Sequence, residues 1–212
     1  MTKKQAGRPS GTRLTAGAVV RAALEVLDDT GWDGVSTRAI ADRLGVRMNT
    51  VLWHVKSKAR LRELMADAIV GEISLDGLPG PWDERVTELA RRYRRALLAH
   101  RDGALVVAGT YVAEPGTLRF AEALVAALLD SGAAHRDVAW TAWTIIYLAL
   151  GLVQEEQGAE DALVDRLAQA VSATAYPALH EVLGHMDRRF DERFEFGLSL
   201  LLDPLRSRAA RG

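Results

Sequence analysis

Between residues 47 and 54 lie six side chains of types that read nucleic acid: Arg47, Met48, Asn49, Thr50, Leu52 and His54. A carboxamide both donates and accepts, so Asn49 can engage an adenine edge in bidentate fashion, a contact worth about 1–3 kcal/mol of discrimination against a wrong base. Met48 and Leu52 offer apolar contact to a thymine methyl. Thr37, Arg38, Thr50, His54 and Lys58 are of types that grip phosphate oxygens. Each of these residues taken singly is an ordinary solvated side chain. Reading a base requires a scaffold that presents several of them at once.

The stretch Ser36 to Lys58 has the layout of such a scaffold. Ser36 is placed to cap a helix over Thr37 to Leu44 whose Ile40, Ala41 and Leu44 face inward, and Gly45 sits where the chain turns sharply. A short second helix follows near Met48 to Val55, anchored by Val51 and Trp53. Two short helices around a tight turn make a helix-turn-helix. Ahead of it, Thr15 caps a first helix with Val20, Ala23, Leu24 and Leu27 on one face and Gly31 at its end. Behind it, Ser57 starts a helix carrying Leu61, Leu64, Met65, Ala68 and Ile69. The expected division is a head over residues 1–58, made of a basic arm and three helices, and an effector-binding and dimerisation body over residues 59–212.

Charge follows the same division. The net charge of −1 over 212 residues conceals ten Lys/Arg against five Asp/Glu in residues 1–58, and 17 against 23 in the remainder. A basic head on an acidic body suits a polyanion bound at one end only. Lys3, Lys4, Arg8 and Arg13, set among Gly, Pro and Ser, form an arm suited to following a minor groove. The absence of cysteine removes disulfides, thiolate metal sites and cysteine nucleophiles. No stretch reads as a signal peptide or approaches the ~20 apolar residues of a membrane span, so a cytoplasmic protein without membrane attachment is expected.

The body reads as helical throughout, which makes the fold all-α. Leu78-Pro79-Gly80-Pro81 is the clearest break. Residues 136–156 form a long helix with Trp140, Trp143 and Tyr147 along it. Residues 188–205 crowd apolar side chains, Phe194, Phe196, Leu198 and Leu200 among them, onto more than one side, a pattern that calls for a second covering layer such as another chain. Both tryptophans are expected in a dimer core, with Tyr147 evenly divided between that core and a ligand wall. Catalysis has little support: no phosphate loop, dinucleotide fingerprint or nucleophile elbow occurs, and the adjacent Glu155 and Glu156 diverge around a helix. His180 and His185 diverge likewise, so neither a metal nor a cofactor is expected.

A wider set of motifs resembles the TetR family of transcriptional regulators, and within it the tetracycline-repressor branch. They are Ala22-Ala23-Leu24-Glu25-Val26-Leu27, Gly31-Trp32-Asp33-Gly34-Val35-Ser36-Thr37-Arg38, Leu52-Trp53-His54-Val55-Lys56-Ser57-Lys58, Tyr93-Arg94-Arg95-Ala96-Leu97-Leu98, Arg101-Asp102-Gly103-Ala104, Gly109-Thr110 and Leu150-Gly151-Leu152-Val153-Gln154-Glu155. The resemblance implies a homodimer through the helices near 136–156 and 188–205, an effector cavity in the body, and a pendulum role for the helix after Lys58. It implies operator contacts at Thr37, Arg38, Met48, Asn49, Thr50, Leu52, His54 and Lys58, with Met48, Asn49 and Leu52 departing from that branch and so reading a different operator. It also implies effector contacts at Ser74, Leu89, Tyr93, Val107, Thr110, Tyr111, Val112, Leu124 and Glu155; Tyr147 joins them from its place on the long helix. Val107 stands where that branch has a magnesium-binding histidine, so a metal-free, mainly apolar and aromatic cavity is expected. The function that follows is a ligand-responsive, dimeric repressor releasing a palindromic operator when a small effector binds; the alternative is a helical ligand-binding protein or regulator without ligand-induced release.

Overall fold

The computed structural model describes residues 14–110, 113–159 and 163–209, and every regular element among them is helical. In chain order these are α1 (Ala16–Thr30), α2 (Thr37–Leu44), α3 (Met48–Val55), α4 (Lys58–Gly71), α5 (Trp82–Leu98), α6 (Gly103–Val107), α7 (Pro115–Leu129), α8 (His135–Gly158), α9 (Leu163–Ala170), α10 (Pro177–Val182) and α11 (Phe190–Ala209). The basic arm, Tyr111 and Val112 lie outside the described residues.

The head is assembled by caps and two turns. Thr15, Ser36 and Ser57 accept from the backbone N–H of Ala18, Ala39 and Arg60 at 3.2, 3.1 and 3.0 Å, each such cap being worth about 1 kcal/mol. Gly31 (φ 75°) and Gly45 (φ 64°) occupy backbone regions that a Cβ disfavours, and these allow the two reversals. Val20, Ala23, Leu24, Leu27, Ile40 and Ala41 are buried as their spacing predicts. Trp53 is not: it is 66% exposed, and α3 is anchored instead by Val51 and Val55, each fully buried. Positions four apart share a helix face and a residue midway between them points away from it, which turns Trp53 outward.

Helix α4 is common to head and body. Leu61, Met65 and Ile69 are fully buried along it, packing against α1 at one end and against α6 and α7 at the other. Its crossing with α7 is close: a Cβ on Gly116 would stand 2.7 Å from the Asp67 carbonyl oxygen and 3.0 Å from the Gly71 Cα. Only glycine permits that approach. Helices α5, α8 and α11 form the far layer, joined by Arg94, which is 9% exposed and reaches Glu156 and Asp191 at 2.6 Å each.

Helix α8 revises one expectation. Its 24 residues are long and apolar enough to cross a membrane by length and composition. Its buried face packs on α5, α6, α7 and α11. The opposite face, together with that of α11, exposes Trp140, Phe196 and Leu200 at 63, 64 and 59%.

The ion pairs of this layer have a pH signature. Arg206 beside Asp83 (2.8 Å), and Arg92 with Arg95 beside Glu88, hold both carboxyls below the usual carboxylate range. Depressed folded values stabilise the fold above the unfolded pKa values of about 4, and that contribution is lost as pH falls through the lower folded values. The urea midpoint is therefore expected to fall below about pH 4, and Asp83→Asn to flatten part of that decline in denaturation curves taken along a pH series.

Candidate functional site

The N-terminal turn of α3 carries the side chains expected to read DNA. Arg47, its N-cap, and Met48, Asn49 and Thr50 in its first turn are all exposed to solvent. Leu52 and His54 are half-buried further along. Thr37 and Arg38 open α2, and the Arg38 guanidinium lies 4.0 Å from Asp42. Lys58, at the start of α4, holds its ammonium 5.0 Å from the centre of the Trp32 ring. Two neighbours were missed by sequence reasoning: the outward Trp53, whose ring packs edge-on against His54 at 4.8 Å, and Lys56, whose Nζ lies 5.3 Å from the same ring. The spacing of Trp53 from Val51 and Val55 was the available signal.

In the body, a cavity of about 440 Å³ opens between α4, α5, the end of α6, α7 and α8. Tyr93 stacks on Phe120 (centroids 5.0 Å apart, 11° between planes), and Trp143 stacks on Tyr147 (5.7 Å, 25°). Of the expected effector residues, Tyr93, Val107, Thr110, Leu124 and Tyr147 line it. Trp143 lines it too, where an interface position was expected. Burial drives the Tyr93 phenol far above its ordinary pKa, so it remains a neutral hydroxyl.

Three expected residues lie elsewhere. Leu89 is fully buried in the α5 core face rather than at the cavity. Ser74, on the connection from α4 to α5, lines a separate polar cleft with Glu88 and Arg92. Glu155 sits near the C-terminal end of α8, 3.6 Å from Arg193, at a different depression shared with Met186 and Arg188. Eight residues of helix separate it from Tyr147, about 12 Å along the axis, which carries it past the cavity.

Contacts invisible in the sequence tie the cavity wall to the head. The Arg62 guanidinium on α4 donates to the carbonyls of Leu105, Val106 and Ala108 at 2.5, 3.0 and 2.7 Å, and stands 5.5 Å from the Trp32 ring centre. The Asp67 carboxylate accepts from Thr117 N (2.7 Å) and Oγ (3.0 Å) at the first turn of α7. Asp102 accepts from the Trp32 backbone N–H at 2.8 Å. The ring of His100, 9% exposed, lies between Asp28 of α1 (3.1 Å) and Glu72 after α4 (3.2 Å). Each pairing spans at least 28 residues, a separation that no local pattern reveals.

Two family profiles match this arrangement. Bacterial regulatory proteins, tetR family, covers residues 19–65, and Tetracyclin repressor-like, C-terminal domain, covers residues 77–209. The chain belongs to the TetR family. Tetracycline repressor protein class A from transposon 1721 of Escherichia coli is 34% identical to it over 201 residues, 93% of each chain. Streptomyces coelicolor ActR, solved in complex with actinorhodin, superposes with a TM-score of 0.82 at 26% identity over 92% of this chain and 96% of that one. BioQ, solved with its double-stranded DNA operator, gives 0.69 at 29% identity over 92% and 99%. TetR-family regulators are DNA-binding repressors with a helix-turn-helix head on a helical body, and this member has both parts.

Proposed function

We propose that this TetR-family member is a one-component, cytoplasmic, dimeric repressor whose two heads hold a palindromic operator and leave it when a small, mainly apolar and aromatic effector fills the body cavity. The observation that carries the proposal is α4: its first turn adjoins the reading helix, and Ala66 and Val70 on the same helix line the cavity. In this reading the head is residues 1–58 and the body 59–212. Base reading falls to Met48, Asn49 and Leu52; Thr37, Arg38, Arg47, Thr50, His54 and Lys58 grip the backbone. The exposed α8 and α11 faces join two copies, dimers being typical of the family. No side chain is assigned a catalytic role.

The effector acts by differential affinity. A ligand that fits the cavity of the released conformation better than that of the DNA-bound one shifts the heads, and by no more than that difference in affinity. Selection from a randomised duplex library is expected to return a two-fold-symmetric sequence with half-sites about 34–36 Å apart; a selection that enriches no sequence overturns the proposal. On the selected operator, Asn49→Ala should relax preference at one base position per half-site by about 1–3 kcal/mol, whereas Lys58→Ala should weaken all sequences alike and lower the salt slope by about one.

A further inference from the structure

The cavity has a chemical inventory narrower than its size suggests. Its described lining contains no Asp, Glu, Lys, Arg or His. An ion entering it would exchange water for a wall with no opposing charge, and a metal chelate would find no carboxylate or imidazole ligand. The polar side chains of that wall are also mostly committed. Thr110 Oγ donates to the Val107 carbonyl at 2.6 Å and Thr117 Oγ donates to Asp67 at 3.0 Å, so neither has a proton to offer a ligand.

Tyr93 is different. It is 3% exposed, its ring is held flat against Phe120, and its hydroxyl has no hydrogen-bond partner among the described residues. The only buried side-chain polar atoms without a partner among the described residues are Arg85 Nε and Arg94 Nε, so the Tyr93 hydroxyl opens onto the cavity it lines, where its proton is available to a ligand acceptor. Two stacked aromatic pairs, Tyr93 with Phe120 and Trp143 with Tyr147, supply flat surfaces in the same cavity. Flat rings meet best with other flat rings in offset-stacked or edge-on contact.

We infer that the effector is an uncharged, planar aromatic compound bearing a hydrogen-bond acceptor such as a ring carbonyl, bound without metal, with the Tyr93 hydroxyl as its donor. This rests on the reading of the cavity as the effector site. Charge is excluded by the wall, planarity is selected by the stacked pairs, and the carbonyl accepts from Tyr93, the enclosed phenol at 3% exposure, rather than from Tyr147, which is 56% exposed. Thr110 and Thr117 retain lone pairs and can accept from a ligand hydroxyl.

The test uses the full-length protein and three probes of one shape: 9-fluorenone, fluorene and 9-oxofluorene-2-carboxylate. Affinities are read by tryptophan fluorescence quenching, for which Trp143 on the wall serves as reporter, and by calorimetry. Fluorenone is expected to bind about fivefold to tenfold more tightly than fluorene, the scale of one net hydrogen bond, and the carboxylate far more weakly than either. Tyr93→Phe keeps the ring and its stacking, and should erase the preference for fluorenone while leaving fluorene unchanged. Equal binding of fluorenone and fluorene, tight binding of the carboxylate, a Tyr93→Phe loss that affects both neutral probes alike, or no binding of any probe overturns the inference. None of these measurements contains DNA. Fluorenone that binds with the expected preference but leaves the selected operator bound would instead sink the repressor-release reading.

Discussion

Phe196→Glu combined with Trp140→Glu is expected to yield a folded monomer whose affinity for a two-half-site operator is about 10²- to 10⁴-fold lower than that of the unaltered protein. Phe196 projects from α11 and Trp140 from α8, at 64 and 63% exposure, so neither substitution opens the core of the single chain. In the proposed dimer, burying this exposed apolar surface against a second copy by the hydrophobic effect would place the two heads at a fixed separation. A carboxylate at each position must lose its hydration to enter that interface, and the symmetry of a two-fold contact presents it to its own copy, doubling the penalty. Once dimerisation is lost, each head binds a half-site alone and the gain from linked binding disappears. Light scattering reports the mass, circular dichroism the helicity, and a fluorescence anisotropy titration the operator affinity. A protein that remains a dimer after both substitutions would show that α8 and α11 are covered in some other way.

Arg62→Leu is expected to leave operator binding in the absence of ligand within a few-fold of normal and to abolish most of the ligand response. Coupling between two sites in such regulators is typically about 1–3 kcal/mol, or about 5- to 150-fold in operator affinity. Arg62 holds three carbonyls at the end of α6, and the next residues, Val107, Gly109 and Thr110, line the cavity. A ligand that displaces this segment must break or move those bonds, and the guanidinium transmits the displacement to α4 and to Trp32 in the head. A leucine keeps helical propensity and part of the side-chain volume but donates nothing, so the cavity wall can shift without pulling on α4. The quantity to measure is the ratio of operator affinities with and without saturating 9-fluorenone. An unchanged ratio in Arg62→Leu would assign the coupling to the other strut, where Asp67 meets Thr117; Asp67→Asn is the matching substitution there.

Much of the head was legible in the chain itself. Its caps, its glycine turn and the buried faces of α1 and α2 are decided by neighbours three or four residues away, and those interactions survive being read in one dimension. Trp53 is the exception. Apolar character suggested an anchor, but α3 is only two turns long and Val51 and Val55 already fill its inner face. In the body the helices and the aromatic stripe of α8 were equally visible, whereas the side of that stripe on which the cavity would form was not. Trp143 and Tyr147 border the cavity while staying 45 and 56% exposed, and Trp140, two turns before Tyr147 on nearly the same face, lies outside the lining, because the cavity occupies only part of the length of α8.

The sequence by itself determined an all-α chain with a helix-turn-helix head, side chains of DNA-reading types at the start of α3 and a body with apolar surface to spare, since hydrophobic periodicity and capping act over one or two helical turns. Only the tertiary structure decided which side chains meet across the core. It took Ser74, Leu89 and Glu155 away from the cavity, left Tyr93 there with a hydroxyl that has no hydrogen-bond partner among the described residues, and set Arg62 and Asp67 of α4 against the ends of α6 and α7. Those pairings depend on helix rotation and on how closely glycine lets two backbones approach, as at Gly116, and neither is written in the spacing of residues along one helix.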